Sequence, residues 1–190
     1  MLRVDVASYE DFARARLPGL LRYAAALTGD AEQARDIVQD VMVRAFTRWR
    51  RISRMEHPDA YLRRMVTNAW TSWRRRWAVR AITVIPDEQL HNLAGDTPDT
   101  ATTLTERDAL RRQLDALPRR QSAALVLRYY EGRSYEECAE ILGCAEGTVR
   151  SLCSRGAAAI RQALEHEARD AREYEAVPSV ASTVRAKDSS

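Results

Sequence analysis

A chain of 190 residues, 45% hydrophobic and 30% charged, has apolar content for one compact domain or two small ones. It contains no run near the roughly 18 apolar residues of a membrane span and opens with no signal peptide, which predicts a soluble, cytoplasmic protein without membrane insertion. The formal net charge of +3 is too small to argue for a nucleic-acid partner by itself. Every basic residue except Lys187 is arginine, a bias that suits bidentate contacts to phosphate and guanine but equally follows from GC-rich coding.

The first predicted helix runs from Tyr9 to Leu27, with Phe12, Leu17, Leu20, Leu21, Ala24 and Leu27 on one side and Pro18 expected to kink or divide it. A turn at Thr28-Gly29-Asp30 follows, and Asp30 is placed to cap the next helix. That helix, Ala31 to about Arg50, steps by three and four through Ala34, Ile37, Val38, Val41, Met42, Ala45, Phe46 and Trp49. Its polar side carries Asp36, Gln39, Asp40 and Arg44, which as a pattern is simply a solvated face. Residues Ile52 to Pro58 form a loop holding His57, and Pro58 starts a helix reaching about Val79. Between Asp59 and Asp87 there is no acidic residue, while Arg63, Arg64, Arg74, Arg75, Arg76 and Arg80 interleave with Tyr61, Trp70, Trp73 and Trp77. Arginines mixed with aromatics suit phosphates and unstacked bases; tryptophans in the core and arginines in solvent would give the same pattern.

Charge then reverses. From Ala81 to Glu106 there is no Lys or Arg, and Asp87, Glu88, Asp96 and Asp99 stand among Pro86, Gly95 and Pro98, which reads as an extended acidic linker. Beyond it, Leu110, Leu114 and Leu117 stripe one helix that Pro118 ends, and Gln121 to Tyr130 forms another. The best-specified stretch follows. Ser134 and Glu137 make a capping box, Cys138, Ile141 and Leu142 form an apolar stripe, and Gly143 suits a left-handed helix end. A second helix opens near Glu146, with Val149, Cys153 and Ile160 on its apolar side. Small Ala139, Gly143 four residues later and Val149 six beyond that have the spacing of a helix-turn-helix, whose second helix enters the DNA major groove. An ordinary helical hairpin is the competing reading of the same spacing. After Glu167 the chain is polar and turn-rich and is expected to be disordered.

Cys138, Cys144 and Cys153 are an odd set without a CxxC motif or a neighbouring histidine pair, which speaks against a disulfide framework or zinc site. Histidines at 57, 91 and 166 are scattered, and no nucleophile–base pair, metal spacing or phosphate loop is present, so neither catalysis nor a cofactor is expected.

Taken together, Asp36-Ile37-Val38-Gln39-Asp40-Val41, AYLRRMVTNAWTSWRRR (Ala60 to Arg76) and LPRRQSAALVLRYYEGRSYEECAEILGCAEGTVRSLCSRG (Leu117 to Gly156) resemble a bacterial sigma factor of the sigma-70 superfamily, in the extracytoplasmic function (ECF, group IV) class. The resemblance implies an all-α fold of two small helical domains joined by a flexible acidic linker. A region 2-like domain would span 9–80, the linker 81–104, a region 4-like helix-turn-helix domain 105–166 and a disordered tail 167–190. It also implies partners: the bacterial RNA polymerase core, gripped through Asp36, Gln39 and Asp40; promoter DNA; and an anti-sigma factor. By the same resemblance the −10 element falls to Arg63, Asn68, Trp70, Trp73, Arg74, Arg75 and Arg76, with the loop Ile52 to Pro58 walling a base pocket. The −35 element falls to Thr148, Arg150, Ser151, Ser154 and Arg155. The chain departs from the family pattern at Ala145, where a capping Ser or Thr is common, at Leu152, often basic, at Cys153, usually Leu, and at Ser72, often acidic. A one-component regulator that binds duplex DNA as a dimer is the competing class, but it leaves the acid-free Arg/Trp helix and the acidic linker unexplained.

Overall fold

The computed structural model describes the backbone over 6–81 and 101–176, and side chains over 7–72, 108–169 and at Arg172. Among these residues all regular structure is helical. The first unit holds α1 (Val6–Thr28), α2 (Ala31–Thr47), the single turn α3 (Trp49–Ile52) and α4 (Pro58–Ala81). The second holds α5 (Ala101–Ala116), α6 (Arg119–Leu125), a π-helical turn (Val126–Tyr130), α7 (Tyr135–Leu142) and α8 (Glu146–Ala176).

Pro18 does not divide α1, which is one helix from Val6 to Thr28. A proline inside a helix costs about 3 kcal/mol, but burying Leu20, Tyr23 and Leu27 on one unbroken stripe is worth about 1.5–3 kcal/mol per side chain. The stripe wins. Leu17, expected on it, is exposed, and Tyr23 takes the central place instead, its hydroxyl sharing a hydrogen bond of 2.7 Å with Thr67 on α4.

Asp30 caps α2 as its sequence position predicts, its carboxylate accepting from the amides of Glu32 and Gln33 at 2.7 and 3.0 Å. Ala34, Ile37, Val38, Val41 and Ala45 form its buried stripe. The helix stops before Arg50: the Arg48 amide turns back to the carbonyl of Ala45 at 3.1 Å, and α3 starts afresh. The break lets Trp49 pack on Phe12 with ring centres 4.8 Å apart, while Phe46 is left at the rim, edge-on to Tyr9. Ile52, expected in the loop, ends α3 and is buried.

In the second unit α5 begins at Ala101, so the helix takes in residues expected in the linker; after Pro98 no Gly or Pro stands in the way of its first turn. Ala81 likewise ends α4. Leu110 is half exposed, and Leu114 of α5, with Leu117 just beyond the helix, packs against the core. The helix expected over Gln121 to Tyr130 changes character after Leu125: the Glu131 amide reaches the carbonyl of Val126, five residues back, at 3.0 Å. That widened turn keeps Val126 and Leu127 inside and turns Tyr129 and Tyr130 out.

The expectation of disorder from 167 onward fails over its first turns, because α8 continues to Ala176. From Glu167 to Ala176 the chain is made of Ala, Arg, Glu, Asp and Tyr, with no Gly or Pro before Pro178. These are mostly good helix formers, and an established helix propagates at little cost. The Gln113 amide also ties α5 to Glu167 at 2.7 Å. The rest of that tail, and the linker over 82–100, lie outside the described residues.

The two units are not separate bodies on a string. One buried cluster runs from Leu20 and Val66 through Leu127 to Cys138 and Val149, with α4 packed on α7 and α1 on the π-helical turn.

Candidate nucleic-acid and polymerase-docking surfaces

Local chemistry dictates the geometry of the α7–α8 pair. The Ser134 hydroxyl accepts from the Glu137 amide at 3.1 Å, and the Glu137 carboxylate accepts from the Ser134 amide at 2.7 Å, closing the capping box. That amide, with Arg133 alongside, holds the Glu137 carboxyl below the usual carboxylate range. Gly143 takes φ +61°, and the Cys144 amide bonds back to the carbonyl of Ala139 at 3.1 Å. The chain thereby reverses in the fewest residues and lays α8 across α7.

Val149, Leu152, Cys153 and Gly156 are the side of α8 that packs inward. Leu152 is thus a core residue, which accounts for an apolar side chain where the family pattern is often basic. Burial pushes the Cys138 thiol up to about 11, with the Cys153 sulfur adding to the effect, so both act as small apolar groups. At 100° per residue, Arg150, Ser154, Ser151, Arg155 and Thr148 then follow one another over an arc of about 160° opposite that core. All five are exposed. Arg150 is held: it pairs with Glu146 one turn back and lies 4.3 Å over the Tyr135 ring. The arc is a continuous row of hydrogen-bond donors at the start of a long helix, with the rest of the helix-turn-helix behind it.

On α2, Asp36, Gln39 and Asp40 are exposed and share the side opposite the buried stripe; Asp40 pairs with Arg44 at 2.7 Å. At their centre stands Val43, 58% exposed, a residue that sequence reasoning passed over. It is an exposed apolar side chain among carboxylates and an amide, with the partly exposed ring of Phe46 to one side. A valine out of step with the 3.6-residue stripe was the available signal.

The residues expected on α4 divide. Asn68 is exposed, on the same side as Arg64 and Ser72. Arg63 and Trp70 are buried, 5% and 3% exposed, on the side that meets the second unit. Arg63 donates to Glu131 from Nε at 3.0 Å and from Nη2 at 2.8 Å, and pairs with Asp59 through Nη1. The guanidinium of Arg119 lies 4.2 Å over the Trp70 ring. Trp73, Arg74, Arg75 and Arg76 stand in the last turns of α4, and their side chains lie outside the described residues.

No group of three or more potential metal ligands occurs among the described residues, and no helix there is long and apolar enough to cross a membrane.

A donor arc on the second helix of such a pair is the side that a helix-turn-helix turns toward the DNA major groove. The family follows from comparison with known proteins. Residues 12–79 match Sigma-70 region 2, and residues 107–160 match Sigma-70 region 4. The chain is 37% identical to an RNA polymerase sigma-E factor of Streptomyces avermitilis over 92% of its length and 95% of the relative's. It is 32% identical to the ECF RNA polymerase sigma factor EcfG of Rhodopseudomonas palustris, over 78% and 80% of the two chains. The fold matches the sigma factor RpoE from Bartonella quintana, solved in complex with the anti-sigma factor NepR, with a TM-score of 0.65 and 24% identity over 83% of this chain and 97% of that one. The chain therefore belongs to the sigma-70 family of RNA polymerase sigma factors, and its function is promoter-specific initiation of transcription.

Proposed function

We propose that the chain is an ECF-class sigma factor, acting in the cytoplasm without catalysis of its own, in which three surfaces divide the work. The face of α2 bearing Asp36, Gln39, Asp40 and Val43 docks on core polymerase. The arc of Thr148, Arg150, Ser151, Ser154 and Arg155 presents donors to −35 base edges and phosphates. The α4 helix holds the melted −10 strand, Asn68 from its exposed side and Arg63 and Trp70 from the side that now faces the second unit, with Trp73, Arg74, Arg75 and Arg76 continuing the basic run. An anti-sigma factor is a partner in keeping with the complex described for RpoE.

The single observation that supports this reading most is the separation of exposed polar faces: α2 and α8 each keep one polar arc clear of the shared core. Reconstitution with bacterial core polymerase, followed by sequencing of transcript starts, tests it. Starts should align on a shared −10/−35 pair. Specific duplex binding by the free protein as a dimer, unchanged by core polymerase, would favour a one-component regulator instead.

A further inference from the structure

We propose that Arg48, Arg50, Arg51 and Arg54 form a fourth working surface, a sequence-independent contact to the phosphate backbone of promoter DNA. The inference goes beyond the three surfaces above. It rests on the chain's function at promoters and not on the assignment of single −10 or −35 residues.

Between Asp40 and Asp59 the chain holds five arginines and one acid, Glu56. Arg44 is answered by Asp40 one turn back. Glu56 projects into solvent, its carboxylate 3.9 Å from His57. The other four arginines are exposed, and among the described residues none of them has an ion pair or a side-chain hydrogen bond. The local fold gathers them on one edge. Trp49 and Ile52 are the buried side of α3, with Trp49 packed on the rings of Tyr9 and Phe12. At 100° per residue, Arg50 and Arg51 must then point away from the core. The Arg54 amide bonds back to the Arg51 carbonyl at 3.3 Å, which carries the turn on and sets Arg54 beside Arg50 and Arg51. Arg48, whose carbonyl accepts from the amides of Arg51 and Ile52 at 2.9 and 3.1 Å, stands one turn before them.

This arrangement suits a polyanion. Like charges one helical turn apart repel, so the edge is less favourable in the free protein than one of mixed sign, and an arriving anion relieves it. Residues three and four apart on such a turn have Cβ atoms about 5–6 Å from each other. Long arginine side chains rooted at that spacing can each take a different phosphate of one strand. The aromatic ring of the segment, Trp49, is turned inward, so the edge offers charge without a stacking platform. That favours backbone phosphates over unstacked bases, and it means position and affinity rather than sequence reading. A protein partner is less well matched, because interface cores are depleted in charge and rich in apolar area, whereas the two apolar side chains of α3 are inside. Promoter DNA is the polyanion that the chain's function brings to it.

The test compares holoenzymes made from bacterial core polymerase and the full-length chain, as wild type, with Arg50→Gln, Arg51→Gln and Arg54→Gln combined, and with the same three positions changed to lysine. Fluorescence anisotropy follows a labelled promoter duplex, and a duplex with both promoter elements scrambled, from about 50 to 200 mM KCl. Each phosphate contact adds about 0.9 to the slope of log affinity against log salt. The glutamine variant should therefore lower that slope by about 2–3 on both duplexes, single glutamine variants should each lower it by about 0.9, and the lysine variant should keep it because the charge remains. Core polymerase affinity, ranking among promoters and thermal unfolding should match wild type. An unchanged slope in the glutamine variant makes the patch a solvated face and overturns the proposal. Weaker core binding at an unchanged slope makes it a polymerase-docking face and overturns it too. A slope lowered on the promoter but not on the scrambled duplex, or an altered ranking of promoters, makes it a base-reading surface and refutes sequence independence. A lysine variant that behaves like the glutamine one rules out a contact made by charge.

Discussion

Gly143 is the position where a single methyl group tests the helix-turn-helix most directly. Its φ of +61° lies in the left-handed region, which costs an L residue with a Cβ about 1–2 kcal/mol. Replacing Gly by Ala also stiffens the unfolded chain, which returns about 0.4–1 kcal/mol. The added Cβ would sit 2.8 Å from Nη2 of Arg64, but that is the far end of an exposed side chain and can swing aside. Gly143→Ala should therefore destabilise the protein by about 1 kcal/mol, a fall in Tm of about 2–4 °C for a chain of this size. Gly143→Asn should lose less, because Asn tolerates the left-handed region through local hydrogen bonding. Differential scanning calorimetry reads the effect. Domains of this kind have about 5–15 kcal/mol in hand, so −35-dependent transcription at 25 °C should stay within about twofold of wild type. An alanine variant as stable as the parent, or an asparagine variant less stable than the alanine one, would refute the turn-strain reasoning.

Arg150→Ala should relax preference at one −35 position by about 1–3 kcal/mol and leave −10 preference unchanged, as read from promoter libraries transcribed by the variant holoenzyme. Gln39→Ala with Asp40→Ala, and separately Val43→Arg, should weaken core polymerase binding. Circular dichroism should show helix content intact, since the Asp40–Arg44 pair is exposed and worth only about 0.3–0.5 kcal/mol; a domain that unfolds would make the face structural. Cys138 stays protonated in the fold up to about 11 but ionises from 9.0 when unfolded, so its contribution to stability is complete below pH 9 and drains away as pH rises to 11. Tm should fall across that window, and less so in Cys138→Val. At neutral pH a thiol reagent should modify half-buried Cys144 first, with Cys138 and Cys153 reacting only as the protein unfolds.

What the sequence disclosed follows the range of the interactions involved. The caps at Asp30 and Ser134, the αL glycine and the α2 stripe are settled within four residues of chain, and each appears where its local pattern predicts. Pro18 does not divide α1, and α8 runs on past Glu167 to Ala176, because a local penalty or a polar composition is overridden by the buried stripe or by the helix that precedes it. Leu17 and Leu110 fit the period yet face outward, since the neighbouring elements cover a narrower arc than the period allows. Val43 escaped notice for the opposite reason: one apolar residue out of phase does not disturb a strong stripe.

Arginine shows the limit most plainly. Arg63 stands in a stretch with no acid between Asp59 and Asp87, so along the chain its guanidinium looks available for phosphate. Its second carboxylate partner, Glu131, is 68 residues away, and Arg133 reaches Asp59 across 74. Arg150 has its acid four residues back and stays on the surface. Arg63, which has a distant second partner, is thus buried, while Arg150, whose partner is local, is exposed. The two proposed reading surfaces differ accordingly: the proposed −35 arc lies exposed on one helix, whereas the Arg63–Trp70 part of the proposed −10 surface is buried where the two units meet.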